Sequence, residues 1–299
     1  MIHSPLLAAD LSDWNFDFER IPFPVLATPK IDGIRCVIGL RDGHKQALSR
    51  TLKAIPNYHI FAQLVAGCPL NCDGELVVPG GFQITTSTVM SHISLTQVDF
   101  RYQVFDILSE KPYRERCIDL ALANLPDFCD KVIPKQIDTV EQLVGYETAC
   151  LAEGYEGVML RAPNGPHLAS LGKTNRATLK RFTLVKLKRY TTDEATVTGF
   201  EPLLHNANAA TTDERGLTKR SHSMVGLMPL PKLGALVVTH PIFGSFNIGT
   251  GFTDAQRNDY WNRSESLLGA TVTFKYLPHG TKDKPRHPVF KGFRHVDDL

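Results

Sequence analysis

The first two thirds of the chain mix two hydrophobic patterns, one typical of strands and one typical of helices. Apolar, β-branched or aromatic runs that end at turn residues predict strands at 36–40, 70–78, 100–108 and 157–161. Apolar side chains near helical spacing predict helices at 114–124 and 140–153, the second ending at Gly154. We therefore expect this part of the chain to be α+β.

The pattern changes after the basic segment 186–189. Short β-like runs, separated by Gly, Pro and polar residues, follow at 195–200, 224–230, 234–240, 245–249 and 270–277. Residues 204–223 are polar and lack periodicity, which is typical of a long loop. Short strands at such intervals predict a small barrel. We place the boundary near Arg189, which gives domains 1–189 and 190–299.

Composition narrows the class of protein only slightly. The chain has 299 residues, enough for two domains, and its net charge of +2 does not by itself indicate a nucleic-acid binder. No apolar run is long enough to span a membrane, and residues 1–10 lack the pattern of a secretory signal. The six cysteines include no C-x-x-C pair, so we expect reduced thiols and no structural zinc. These features predict a cytoplasmic protein without a membrane partner.

The motif K-x-D-G-x-R, formed by residues 30–35, is the first chemical signal. Taken alone, it could be a turn with solvated charges. Further motifs follow in order along the chain: Leu48-Ser49-Arg50, Asp73-Gly74-Glu75, Phe105-Asp106, the segment 156–161 from Glu156 to Arg161, and Lys186 with Lys188. The order of these motifs is far more specific than any one of them.

This order resembles the nucleotidyltransferase motifs of ATP-dependent DNA ligases, RNA ligases and mRNA capping enzymes. The segments LSRTLKAIP, DGELVV and PRHPVF are most similar to the small DNA ligases of T7-type phages. The resemblance implies an α+β fold with two domains. The first is a nucleotidyltransferase (adenylation) domain with ATP-grasp-like antiparallel sheets and helices, and the second is an all-β OB-fold barrel.

The resemblance also implies the reaction. It predicts a DNA ligase that seals 3′-hydroxyl/5′-phosphate nicks in double-stranded DNA, acts as a monomer, and carries AMP from ATP on Lys30. An amine attacks phosphorus only when it is deprotonated, and cationic neighbours favour the neutral form. Lys186 and Lys188 are implied to contact the α-phosphate. Their spacing of two places both on one side of a strand, with a solvated face as the alternative interpretation.

Metal and nucleotide contacts follow from the same resemblance. Glu156 and Glu75 are the candidates to hold Mg²⁺ or Mn²⁺, and Glu75 also to accept from the ribose hydroxyls. Phe105 is implied to stack on adenine, with strand-core packing as the alternative. Thr28 stands where many relatives have Glu, and its hydroxyl could contact the base directly or through water.

Other residues take supporting roles in the family. Arg35 corresponds to a ribose contact, and Arg50 to a contact with the phosphate at the nick. Asp32 is implied to orient Lys30. At Gly33 we expect that a side chain would crowd the nucleotide. We interpret Asp106 as structural rather than as a metal ligand.

The C-terminal third contributes basic residues. Arg286 and Arg294 are implied to orient the departing pyrophosphate, whereas Lys282, Lys284 and Lys291 are better explained as a solvated basic tail. A second basic group lies in the polar segment 204–223. It could contact DNA phosphates or form an ordinary surface loop, and it comprises Arg215, Lys219 and Arg220.

Two other functions remain open. An RNA ligase or an RNA-capping guanylyltransferase would use the same lysine chemistry on a different substrate. A non-catalytic protein, with an OB module fused to a degenerate domain, should have lost one of its catalytic residues. All four are present: Lys30, Glu156, Lys186 and Lys188.

Overall fold

The computed structural model describes residues 5–92, 97–167, 175–214, 216–278, 280–281 and 283–294. The chain divides into two compact units, Met1–Lys188 and Arg189–Leu299. Within the described ranges, no helix combines the length and the apolar character needed to cross a membrane. All six cysteines are free thiols, and the Sγ atoms of Cys68 and Cys129 lie 3.6 Å apart.

The first unit contains two five-stranded sheets. The strands of the first sheet are β1 (Ala9–Asp10), β2 (Val25–Pro29), β8 (Lys135–Ile137), β9 (Val158–Arg161) and β10 (Val185–Leu187), in the order β1-β10-β9-β2-β8. Those of the second are β3 (Ile34–Arg41), β4 (His44–Ser49), β5 (Cys72–Val77), β6 (Arg101–Ile107) and β7 (Cys129–Lys131), in the order β4-β3-β5-β6-β7. Neighbours are antiparallel except for β1 with β10 and β6 with β7.

Among the described residues, five helices accompany these sheets. They are α1 (Tyr58–Gly67), α2 (Phe82–Val89), α3 (Tyr113–Leu122), α4 (Val140–Ala152) and α5 (Asn175–Arg181), with 3-10 turns at Leu11–Trp14 and Phe18–Arg20. Asn57 and Thr139 cap the N-termini of α1 and α4, where each side chain accepts an otherwise unpaired backbone N–H. Gly154, with φ of 86°, follows the end of α4. The helices predicted at 114–124 and 140–153 are thus present, within two residues at each end.

Each sheet of the first unit has its own hydrophobic core. One core includes Ile38, Leu76 and Tyr102 from the second sheet and Leu64 from α1. The other joins the first sheet to α4 and α5. Along β6, buried Tyr102 and Val104 alternate with half-buried residues. The second sheet therefore has one face in its core and a second face that is available for polar side chains.

The second unit is built on one antiparallel sheet. Its strands are β11 (Thr191–Asn206), β14 (Leu227–His240), β15 (Gly244–Ile248), β16 (Thr271–Leu277) and β17 (Arg286–Phe293), in the order β15-β14-β11-β16-β17. Strand pairing does not continue around the unit. Near the edge strands β15 and β17, the described residues pair at an isolated bridge between Thr250 and Val289. The expected barrel is therefore only partly closed.

The expectation that the second unit is all-β was wrong. Two helices, α6 (Asp254–Asn262) and α7 (Ser264–Leu267), lie between β15 and β16. Thr253 and Gln256 form a capping box at the start of α6, in which each side chain pairs with the backbone of the other residue. This T-x-x-Q signal was readable in the sequence, but the helix lacks a buried apolar face that would have drawn attention to it.

The prediction of a long loop at 204–223 was also wrong. Strand β11 continues to Asn206, and a hairpin follows, formed by β12 (Ala210–Thr212) and β13 (Thr218–Arg220). The described residues of both hairpin strands are exposed, so no hydrophobic alternation marks them. The runs predicted separately at 224–230 and 234–240 belong to the 3-10 turn Met224–Gly226 and the single strand β14. Arg215 and Lys282 lie outside the described residues.

Candidate active site

Lys30 lies in the connection between the two sheets of the first unit, since β2 ends at Pro29 and β3 begins at Ile34. Two backbone hydrogen bonds hold this connection. The N–H of Lys30 donates to the carbonyl of Gly157 at 2.8 Å, and the N–H of Glu156 donates to the carbonyl of Lys30 at 3.1 Å. These bonds place the motif beginning at Lys30 beside the motif beginning at Glu156, although 126 positions separate the two residues.

The carboxylate of Glu156 binds two lysines. The amine of Lys30 donates to Oε2, and the Nζ of Lys188 lies 3.3 Å from Oε1. The Glu156 side chain is only 5% exposed, whereas that of Lys30 is 21% exposed and that of Lys188 is 11% exposed. A buried carboxylate therefore holds two partly exposed amines. We call Lys30, Glu156 and Lys188 the lysine site.

A glycine allows this approach. Gly157 has φ of 147°, and a Cβ atom there would lie 2.2 Å from the carbonyl oxygen of Leu187. No side chain fits at that distance. The glycine after Glu156 thus lets the backbone of β9 approach the segment that carries Lys188.

Lys186 has a different partner from Lys188. Its Nζ lies 3.2 Å from a carboxylate oxygen of Asp10, which is directly opposite in the parallel pairing of β1 with β10. The half-buried Lys186 and Lys188 alternate with buried Val185 and Leu187, in agreement with their spacing. The sequence analysis missed Asp10, because a two-residue strand carries no periodic signal.

On the second sheet, Arg35 forms a bidentate ion pair with Asp73, with N–O distances of 2.5 and 2.6 Å. Burial lowers the pKa of Arg35, but the charge and hydrogen bonds of Asp73 outweigh it and raise the pKa overall. The sequence analysis placed Asp73 in a motif but gave it no role. Its role depends on the pairing of β3 with β5, in which Val37 lies opposite Asp73 and Arg35 is one diagonal step away.

Glu75 lies directly opposite Arg35 in the same ladder. Burial raises the pKa of its carboxyl to about 7, and the nearby charges of Arg35 and Lys30 only partly oppose this shift. At neutral pH this carboxyl is therefore divided between the protonated and the ionised form. The charge of Lys30 acts on Glu75, so the two carboxylates predicted to hold metal belong to one electrostatic environment.

A β-bulge lies at Phe105. In the pairing of β5 with β6, Asp73 is opposite Asp106 and Gly74 is opposite Val104, so Phe105 is the extra residue. The half-buried Phe105 ring has the guanidinium carbon of Arg35 at 4.6 Å from its centroid and that of Arg161 at 5.8 Å. Core packing, the alternative explanation for Phe105, does not describe this environment.

Asp106, the other residue at the bulge, is buried between two arginines. Arg116 donates to both of its carboxylate oxygens, at 2.8 and 3.2 Å, and Arg161 donates to one of them. Burial raises the pKa of Asp106, but the charges and hydrogen bonds of Arg161 and Arg116 outweigh this and lower it overall. A carboxylate held in this way is structural, as expected, and is not available to a metal.

Gly33 is also required by the protein's own packing. A Cβ atom there would lie 2.3 Å from the carbonyl oxygen of Leu76 and 2.8 Å from the Cγ of Glu75. A side chain would therefore collide with strand β5 itself, before any nucleotide is considered. Gly33 allows the connection from Lys30 to pass close to Glu75.

Other predicted residues lie at the margins of this arrangement or outside it. Thr28 is buried in β2, opposite Met159. Arg50 is exposed in the turn after β4 and forms no ion pair with the described residues. Arg286 and Arg294 belong to the second unit, at the two ends of β17, and Arg294 pairs with Glu194.

The described residues contain no group of three or more His, Cys, Asp or Glu side chains that could hold a metal ion. A divalent cation near Glu156 would therefore require oxygen donors from a ligand. Mg²⁺ is commonly bound in this way, by one or two carboxylates together with substrate phosphates.

Comparison with known proteins gives three findings. A family model for the DNA ligase OB-like domain matches residues 231–294. The solved structure of a Chlorella virus DNA ligase–adenylate is 35% identical, with a TM-score of 0.53, over 99% of this chain and 99% of that chain. A Lig E DNA ligase, described as binding DNA with a minimal scaffold, is 23% identical with a TM-score of 0.70 and covers 98% of this chain and 100% of its own, which supports the fold alone. Comparison with curated proteins found no match.

The chain therefore belongs to the ATP-dependent DNA ligase family. The family predicted from the order of the motifs is confirmed, and with it the assignment of the protein as an enzyme, a DNA ligase. The nucleotidyltransferase fold followed by an OB-like domain is confirmed as well.

Proposed function

We propose that this protein seals nicks in duplex DNA and that Lys30 carries AMP between ATP and the DNA. The observation that supports this role is the lysine site, in which the Lys30 amine shares Glu156 with Lys188. It occurs in a chain that aligns over 99% of its length with a DNA ligase solved as its adenylate.

In the proposed first step, the Nζ of Lys30 attacks the α-phosphorus of ATP. A nitrogen–phosphorus bond forms, the bond from the α-phosphorus to the bridging oxygen breaks, and pyrophosphate departs. The amine must lose its proton for this attack. Its hydrogen bond to Glu156 must therefore break, or the Glu156 carboxylate must accept the proton. Lys186 and Lys188 are proposed to stabilise the charge that develops on the phosphate oxygens.

Glu156, with help from Glu75, is proposed to hold Mg²⁺ or Mn²⁺ together with phosphate oxygens of ATP. The few carboxylates of the described site fit a cation that depends on substrate phosphates for its other ligands. When bound, the cation would neutralise phosphate charge as pyrophosphate leaves.

The nucleotide contacts remain proposals of the same kind. Phe105 is proposed to stack on adenine, Thr28 to contact the base, and Arg35 and Glu75 to contact the ribose. Arg35 is tied to Asp73 and to the Phe105 ring, so ribose and base contacts would be made by side chains that already touch each other. Arg50 is proposed to bind the phosphate at the nick, and Arg286 and Arg294 to bind the pyrophosphate.

The later steps involve DNA. The AMP passes from Lys30 to the 5′-phosphate of the nick, and the 3′-hydroxyl then attacks that phosphorus and releases AMP. The OB-like domain is proposed to hold the duplex through phosphate contacts, as such domains do with single strands. Affinity for a nicked duplex should then fall steeply as the salt concentration rises.

Intact-mass measurement tests the proposal directly. Incubation with ATP and Mg²⁺ should add the mass of one AMP, and a singly nicked DNA duplex should remove it while the nick is sealed. Lys30→Ala should form no adduct, whereas Lys111→Ala, which removes an exposed amine paired with Asp119, should behave like the wild type. An adduct from GTP, or discharge only by RNA ends, would contradict the proposal and indicate a capping enzyme or an RNA ligase.

A further inference from the structure

A group of buried charges lies beside Phe105 and includes residues to which no catalytic role has been assigned. We call Arg116, Asp106, Arg161 and Tyr113 the arginine cluster. The side chains of Arg116 and Asp106 are each 1% exposed and that of Arg161 is 6% exposed. Arg116 and Tyr113 come from α3, Asp106 from β6 and Arg161 from β9, so the cluster joins a helix to both sheets of the first unit.

Arg116 is the anchor of the cluster. Its Nε donates to Oδ1 of Asp106 at 2.8 Å, its Nη2 donates to Oδ2 at 3.2 Å, and its Nη1 donates to the carbonyl of Lys111 at 2.6 Å. Arg161 donates to the same Oδ2 of Asp106. The carboxylate is thus held in one orientation by two guanidinium groups.

Asp106 in turn positions Arg161 against two rings. The guanidinium carbon of Arg161 lies 4.3 Å from the ring centroid of Tyr113 and 5.8 Å from that of Phe105. Phe105 and Asp106 are also adjacent in the chain and share the β-bulge. Arg116 therefore reaches the Phe105 ring through Asp106 along two routes, one through Arg161 and one through the backbone of the bulge.

The cluster contains two arginines and one carboxylate, and the charge of Asp73 also acts on Arg161. Removing such charges from water is costly, and apolar side chains of similar volume are often as stabilising or more so. Stability alone therefore does not explain this arrangement. A requirement to hold the Phe105 ring in one orientation explains it.

We infer that Arg116 is a positioning residue for nucleotide binding, acting through Asp106 and Arg161 on Phe105. This inference rests on the proposed function, in which Phe105 stacks on adenine. It predicts that loss of Arg116 weakens recognition of the base and leaves the phosphate contacts of the lysine site unchanged.

The test compares three variants in single-turnover adenylation of Lys30, measured against ATP concentration. Arg116→Met should raise the KM for ATP about 10-fold, with a smaller change in kcat, because the Phe105 ring is displaced while the Lys30 amine is not. Arg116→Lys keeps a cation next to Asp106 and should recover part of the loss. Leu120→Ala, which opens a cavity in the core under the same helix, should lower Tm without changing the KM for ATP.

Inorganic tripolyphosphate adds a probe that has no base. Its inhibition constant should be the same for wild type and Arg116→Met, since it uses only phosphate contacts. Equal changes in the KM for ATP for Arg116→Met and Leu120→Ala at matched loss of Tm would overturn the inference. If Arg116→Met does not fold, Arg116→Lys decides the outcome. A KM for ATP equal to that of the wild type in Arg116→Lys would then overturn the inference. A wild-type enzyme that forms no AMP adduct would instead overturn the proposed function, and this inference with it.

Discussion

The lysine site and the arginine cluster lie in the same unit and differ in how their cations are held. The lysines keep part of their surface exposed, and each touches a Glu156 oxygen with a single nitrogen. The arginines of the cluster are almost fully buried, and Arg116 is fixed by three hydrogen bonds within 3.2 Å. A lysine amine can exchange partners and lose a proton, whereas a guanidinium remains charged and imposes geometry. The lysine site is therefore suited to the reaction, and the arginine cluster to holding its surroundings in place.

The largest loss of activity should come from replacing Lys30 by a residue that keeps its positive charge but is not a nucleophile. Lys30→Arg retains a cation beside Glu156, but a guanidinium is not available as a nucleophile. We expect no AMP adduct and no sealing, with an unfolding transition close to that of the wild type. Adduct formation measured by intact mass would show that another residue carries the nucleotide.

Glu156→Gln should have the next largest effect, because it removes the negative charge that Lys30 and Lys188 share. We expect adenylation in a single turnover to slow by about 100-fold or more. Glu153→Gln, which neutralises an exposed carboxylate just after α4, is the matched control and should change the rate little. Similar rates for the two variants would exclude an electrostatic role for Glu156.

Asp73→Asn tests whether the buried arginine pairs are structural. It leaves Arg35 half-buried without its carboxylate, which should cost about 3 kcal/mol in the free energy of unfolding. Asp130→Asn breaks a pair with Arg101 at an exposed position and should cost at most about 1 kcal/mol. Urea unfolding of both variants measures the difference, and equal losses would contradict the distinction between buried and exposed pairs.

The smallest expected effect is a change of folding stability with pH that is caused by Glu75. Burial raises the pKa of its carboxyl from 4.5 to about 7 in the folded chain, so between these values the folded state holds a proton that the unfolded state has released. The contribution of this group to stability is present below pH 4.5 and is lost as the pH rises towards 7.

Glu75→Gln should remove that loss. The free energy of unfolding of the wild type, relative to Glu75→Gln, should therefore decline as the pH is raised across this window and level off above it. Denaturant unfolding of both proteins between about pH 5 and about pH 8 measures this difference. A difference that stays constant, or that grows with pH, would show that the carboxyl is ionised when folded.

Motif order in the sequence identified Lys30, Glu156 and Lys188 before any geometry was known, and the structure brings these three together. Motif order gave no role to Asp73 and did not include Asp10 or Arg116. Each is a single charged residue in an element whose pattern looks ordinary, and each matters only because of the partner opposite it. Register between strands is set by long-range pairing, which short-range periodicity does not encode.

The second unit shows the same division. Short β-like runs predicted its strands, and the OB-like domain was confirmed, but the hairpin between Ala210 and Arg220 and the helix beginning at Asp254 were missed. Neither buries a regular apolar face within its described residues, so neither produces a periodic signal.

By itself, the sequence determined the chemical residue types, their order, and the apolar runs that form the strands β3, β5, β6 and β9. The tertiary structure alone decided which carboxylate each cation meets. That decision depends on the pairing of β5 with β6, which has its extra residue at Phe105, and on a glycine that allows Glu156 to approach Lys188. Both are consequences of how strands pack at distances of a few ångströms, a scale on which residues far apart in the chain become neighbours.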